Sequence, residues 1–178
     1  LTPSSVMLVS ETAQPGIEKI HVRMNFNRMS EIALRTALGV AEKTGASVAC
    51  HNVYRFPLKY MGQPELFSPQ KLKKIEEQLR KHQNKEYIKF MKHHKLAPEN
   101  IPCEYTFDKD GDEAQKLYNF AIRDSADLIV IGSRVKSGLT DVILDHTSEK
   151  LTSAEKNLPV LVVKDRKQSL GFLDSLFD

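Results

Sequence analysis

The chain has 178 residues, enough for one domain with a sizeable core and tight for two. A formal charge of +3, from 26 Lys and Arg against 23 Asp and Glu, gives no reason to expect a nucleic-acid partner. No apolar run approaches the roughly 20 residues that cross a bilayer and no leader pattern opens the chain, so direct membrane insertion is not expected; Cys50 and Cys103 lack metal-type spacing and read as buried free thiols of a reducing, cytoplasmic setting.

Ser5-Val-Met-Leu-Val-Ser10 near the start reads as a short strand and echoes Pro159-Val-Leu-Val-Val-Lys164 near the end. Ile20-His-Val-Arg-Met24 alternates apolar and polar residues, as a strand does, and ends at Asn25-Phe-Asn27, whose side-chain oxygens suit a helix cap. From Met29 to Thr44, Ala33, Leu34, Ala37, Leu38, Val40 and Ala41 recur at helical spacing, and Gly45 stands where a C-terminal cap belongs. Ser47 to Tyr54 has the length and β-branched content of a second strand, which completes a βαβ unit.

Residues 55 to 68 carry Phe56, Tyr60, Met61 and Phe67 between prolines and read as a flap over the sheet edge. Pro69 suits the first turn of a long helix with Leu72, Ile75, Leu79, His82, Tyr87, Phe90 and Met91 along one stripe. Ile101 to Phe107 is a third strand. Asp110-Gly-Asp112 precedes a helix lined by Ala114, Leu117, Tyr118 and Ala121. The run Leu128-Ile-Val-Ile131 stops at Gly132, as a central parallel strand buried on both faces does, and Pro159 to Val163 closes the pattern. The alternation predicts an α/β fold with an open five-stranded parallel sheet flanked by helices.

Three units follow: an extension over 1–17, a domain over 18–165 and an amphipathic tail over 166–178, where Leu170, Leu173, Leu176 and Phe177 share a helical face. The echo at Ser5 to Ser10 has two readings. Residues 1–17 carry the last strand of a preceding related domain, or two short apolar strands coincide.

Four segments, in order, resemble the universal stress protein family over Glu18 to Asp165. Met24-Asn-Phe-Asn27 and Ala33-Leu-Arg-Thr-Ala37-Leu-Gly-Val-Ala41 are similar to its first turn and helix. Ala126-Asp-Leu-Ile-Val-Ile-Gly-Ser133 is similar to its "ADLIVMGS" strand, Ser137-Gly-Leu139 with Thr147-Ser-Glu-Lys150 to its loop and last helix, and Leu158-Pro-Val-Leu-Val-Val163 to its closing strand. The resemblance implies a Rossmann-like sandwich, a role in stress response and a homodimer paired along Val160, Leu161, Val162 and Val163.

It also implies where a nucleotide would sit. ATP-binding members carry G-x2-G-x9-G-[S/T]; aligned on Gly132, this chain has Val135, Asp145 and His146 at the remaining positions. A valine obstructs close backbone approach, and an aspartate about 4 Å from a phosphate charge costs about 1 to 4 kcal/mol. The base-contacting aspartate of the family is Asn25 here, which keeps a carbonyl acceptor. ATP or AMP is therefore disfavoured and no cofactor is assigned. The candidate ligand set is Asn25, Val53, Gly132, Arg134, Val135, Asp145, His146, Thr147 and Ser148, because Arg134, Thr147 and Ser148 retain donors for some anion.

The six histidines fall in separate elements or, as His93 and His94, point about 100° apart on a helix, so no metal site is read. Asp108, Asp110, Asp112 and Glu113 read as caps rather than a calcium loop, and the Lys71 to Lys95 charges as a solvated helix face. No nucleophile, base or paired-carboxylate context is recognisable. The expectation is a non-catalytic regulatory or binding module with an unidentified protein partner. The alternatives are a nucleotide or anion sensor, and the regulatory domain of a tandem stress protein or of a transporter.

Overall fold

The computed structural model describes residues 5–9, 16–55, 68–109, 111–133, 146–153 and 157–164. Arg134, Val135, Asp145, most of the 55–68 segment and the 166–178 tail lie outside the described residues.

In chain order the elements are β1 (Val6–Leu8), β2 (Lys19–Arg23), α1 (Arg28–Thr44), β3 (Ser47–Tyr54), α2 (Pro69–His93), a 3-10 turn (Pro98–Asn100), β4 (Cys103–Phe107), α3 (Glu113–Arg123), β5 (Leu128–Ser133), α4 (His146–Leu151) and β6 (Val160–Lys164). The sheet runs β1-β6-β5-β2-β3-β4. It has six strands rather than the five expected, and it is mixed: β2 to β6 are mutually parallel, while β1 pairs antiparallel with β6. The sixth is the short strand that the sequence shows at Ser5 to Ser10; βαβ alternation places only parallel strands and so leaves it outside the five-stranded sheet, which it joins antiparallel. Val160 to Val163, expected to present an open pairing edge, are covered on that side by β1.

Local chemistry explains the helix boundaries. Asn27 adopts extended backbone and accepts the Ser30 amide at 3.0 Å, starting α1, and Gly45 ends it in the left-handed conformation at φ 77°. Ser68 caps α2 with Pro69 in its first turn, and Asp112 caps α3. Along α2, burial is confined to Tyr87, Phe90 and Met91 near its end; His82 is exposed and Leu72, Ile75 and Leu79 are half-buried, so the predicted stripe weakens toward the N-terminus.

Two clusters fill the sheet faces. Under α1 and α2 lie Ile20, Val22, Leu128, Val130 and Cys50 with Ala33, Leu34, Ala37, Phe90 and Met91. Under α3 and α4 lie Ile129, Ile131, Val160 and Val162 with Ala114, Leu117, Ala121 and Leu151. Asp127 ties the sheet's amino end, accepting the Glu18 and Lys19 amides at 2.9 Å each.

Candidate functional site

Strands β2, β3 and β4 step in one direction, and β5 returns to the other side of β2. At such a reversal the crossovers leave on opposite faces, so a crevice opens at the carboxyl ends of the flanking strands. Asn25 follows β2, Val53 lies near the end of β3, Gly132 lies near the end of β5, and α4 opens with His146, Thr147 and Ser148. The described members of the predicted ligand set thus share one edge of the sheet.

Their environments differ. Asn25 is exposed; its backbone amide donates to Ser30 Oγ at 2.8 Å. In the orientation that satisfies its side-chain amide, the nitrogen donates to the Met24 carbonyl at 3.0 Å and the oxygen accepts from Arg23 Nε at 3.3 Å. That carbonyl is therefore engaged within the chain. Phe26 sits beside it at φ 52°, a conformation costly for a residue with a Cβ, held by ring contacts to Tyr87 and Phe90 at 6.5 and 6.2 Å. Val53 is half-buried against the α3–α4 cluster.

Gly132 answers a packing demand. A Cβ there would lie 2.7 Å from the Met29 carbonyl carbon and 2.9 Å from its Cβ, so α1 can reach β5 only over a glycine. The residue that aligns with the first loop glycine is required by the helix whether or not a phosphate is present.

On the other side of the edge, Arg23 at the end of β2 makes a two-pronged ion pair with Glu113 at the start of α3, Nε to Oε1 at 2.6 Å and Nη2 to Oε2 at 2.9 Å. Both side chains are largely buried, at 10 and 14 % exposure. Thr147 Oγ1 donates to the same Glu113 Oε2 at 3.1 Å, and Lys150 Nζ lies 3.3 Å from Asp112 Oδ1. Carboxylates from the start of α3 thus occupy donors of α4. Ser148 is fully buried and His146 exposed. Asp108 accepts the Gly111 and Asp112 amides at 2.9 and 3.1 Å and pairs with Arg55 at 2.8 Å, the turn-capping role expected of this acidic group.

The sequence shows Glu113 only as a capping acid, Arg23 only as a strand residue and Phe26 only as part of a turn, with no sign that they meet at this edge. Arg23 is one polar position of an alternating strand and Glu113 an ordinary first-turn acid 90 residues away; no spacing links them.

The histidines also meet unexpectedly. His21 on β2 and His51 on β3, buried to 3 and 1 % exposure, flank the Phe120 ring with centroids 5.0 and 4.4 Å away. His21 Nε2 pairs with Asp124 Oδ2 at 2.7 Å, and His51 Nε2 with Thr106 Oγ1 at 2.8 Å. Burial lowers both pKa values, that of His51 to about 3, with repulsion from His21 and Arg123 added. Cys50 and Cys103 are free thiols; burial pushes Cys50 up to about 12, which leaves it unreactive. Among the described residues no group of three or more His, Cys, Asp or Glu is placed to hold a metal, and no helix is long and apolar enough to cross a membrane.

A cavity of about 620 Å³ opens at the opposite, amino edge, lined by Leu38, Ala41, Val48 and Ile101 with Lys19 and Asp124. Those two charges pair with each other at 3.4 Å. The carboxyl edge, with its convergent polar groups at the winding reversal, remains the candidate site.

An open α/β sheet with helices on both faces and polar side chains gathered at the reversal defines a Rossmann-like sandwich. The sequence profile of the Universal stress protein family matches residues 16–164, and the chain belongs to that family. The stress response protein NhaX of Bacillus subtilis is 47% identical over 55 residues, which is 31% of this chain and 32% of NhaX, so the similarity spans about a third of that relative. A universal stress protein from Pseudomonas aeruginosa superposes with a TM-score of 0.62 at 16% identity; the superposition covers 99% of this chain and 58% of that one. A universal stress protein from Archaeoglobus fulgidus gives 0.51 at 19% identity over 83% of this chain and 98% of its own length. At these identities the two structures show a common fold.

Proposed function

We propose that this stress-response protein works as a non-catalytic regulatory module that acts through protein contact and holds no nucleoside triphosphate at its strand-end site. The observation that carries the reading is the Glu113 carboxylate, clamped by Arg23 and accepting from Thr147, one of the hydroxyls a phosphate would use. A polyphosphate brought there meets Glu113 and Asp112, with Lys150 already beside Asp112. Like charges about 4 Å apart cost about 1 to 4 kcal/mol each in a partly solvated site. Val135 and Asp145 add to this in the sequence, and the Met29 contact accounts for Gly132 without a ligand.

The test is calorimetric titration of the protein with ATP, ADP and AMP, with and without magnesium, beside a Val135→Gly, Asp145→Gly, His146→Ser variant. The expected result is no binding by the natural chain. Micromolar ATP affinity in the natural chain would overturn the reading, whereas binding gained only by the variant would show a site lost by substitution on an intact fold.

A second reading, a sensor of AMP or another small anion, draws on Ser133 Oγ and Asn52 Oδ1, both buried at this edge and without a hydrogen-bond partner among the described residues. A ligand at about 100 times its dissociation constant adds about 2.7 kcal/mol, so a flat thermal-shift series across nucleotides and inorganic phosphate excludes it. A homodimer paired along Val160 to Val163 would require β1 to leave that edge.

A further inference from the structure

The pairing of β1 with β6 has a symmetry that a strand laid down by chance would lack. The sequence echo equates Val6 with Val160, Met7 with Leu161 and Leu8 with Val162. The ladder pairs Val6 with Val162, Met7 with Leu161 and Leu8 with Val160. Exchanging each residue for its equivalent returns the same three pairs, so the ladder is self-complementary about an axis through Met7 and Leu161. That is the signature of an isologous two-fold contact, and a two-fold axis normal to the sheet makes the two strands antiparallel. β1 is the antiparallel strand of a sheet that is otherwise parallel.

Burial shows the other half of the pattern. Val160, Val162 and Val163 are 2, 2 and 3 % exposed, sandwiched between α3–α4 and α1. Their equivalents Val6, Leu8 and Val9 are 43, 40 and 58 % exposed, and Met7 is 45 % exposed. An edge strand in water is ordinarily blunted by charge, proline or a bulge; β1 is apolar and, among the described residues, pairs on one side only, with β6, which marks a missing neighbour.

We propose that β1 is the closing strand of a second domain of this same fold, that this domain lies upstream in the polypeptide, and that the β1–β6 ladder is the pseudo-two-fold joint between the two. The occupant of the free β1 edge is then the upstream domain's counterpart of β5, and its helices cover Val6, Leu8 and Val9. The upstream position follows from topology: β1 runs on into this domain, so the strands that complete its own sheet precede Val6. The superposable Pseudomonas aeruginosa chain, of which this one covers 58%, has length for such a partner. The inference stands apart from the nucleotide question, since the joint lies on the far side of β6 from the β2–β5 crevice.

Two measurements test it. An antibody against this domain should detect, in the source cells, a polypeptide of about twice the 20.2 kDa of this chain; a native product of that single mass would overturn the proposal. In the full-length polypeptide, Val6→Asp should lower the melting temperature of the upstream unit by about 5 °C or more, as the burial of its equivalent Val160 implies, while in residues 1–178 alone it should move melting by no more than about 1 °C. Equal effects in the two contexts would overturn the assignment of β1 to a second sheet.

Discussion

The two faces of the sheet are built from the same strands and solve different problems. Under α1 and α2 the strands contribute Ile20, Val22, Leu128 and Val130, and hydrocarbon meets hydrocarbon. Under α3 the alternate residues of β2 and β3 are the buried His21 and His51 and the largely buried Arg23, each answered by a polar group: Asp124, Thr106 and Glu113 respectively. The first face is held by shape, and its most demanding point is the glycine that lets α1 touch β5. The second is held by paired polar groups, whose cost of burial is offset only while every partner stays in place. The functional edge lies where the two meet, with close packing on the α1 side and an internal ion pair on the α3 side.

Disturbing the α1 face at Gly132 should have the largest effect. Gly132→Ala places a methyl against the Met29 backbone, which has no rotamer in which to retreat, so a loss of about 3 kcal/mol is expected in urea unfolding. An unchanged denaturation midpoint would show that α1 shifts freely and that the glycine is not demanded by packing. On the α3 face, Glu113→Ala deprives Arg23 of its two-pronged partner and releases Thr147; about 2 kcal/mol should be lost, and anion binding at this edge should strengthen if the carboxylate is what excludes it.

Acid separates the faces without mutation. Because the folded His51 pKa, about 3, lies below the ordinary 6.5, the unfolded chain takes up a proton that the folded chain refuses. The stability His51 contributes is therefore fully present above pH 6.5 and is lost as pH falls toward 3; at pH 5 the loss is about 2 kcal/mol, and His21, shifted in the same direction, adds to it. Melting temperatures measured from pH 8 to 5 should fall, and His51→Gln should flatten the slope. The smallest change is at the α1 cap: Asn27→Ala removes the acceptor for the Ser30 amide and should cost about 1 kcal/mol with no change in pH dependence.

How much was legible in the sequence follows from these examples. The Asn27 cap, the Gly45 stop, the apolar run ending at Gly132 and the βαβ order all rest on local rules, and each was readable from neighbouring residues. Alternation in Ile20-His-Val-Arg-Met24 suggested a strand, as observed, but gave no sign that its polar residues lie inside. A strand wet on one face and a central strand roofed by a helix carrying Asp124 and Glu113 have the same alternation, and only the roof tells them apart.

The order of elements, the family and the position of the candidate edge were determined by the sequence alone, because periodicity, capping and the four family segments each act within a few residues. What α1 demands of Gly132, what Glu113 does to Thr147, how His21 and His51 meet over Phe120 and which strand covers β6 were decided only by the tertiary structure. Each depends on groups tens of residues apart brought within a few ångströms, and no local pattern encodes that distance.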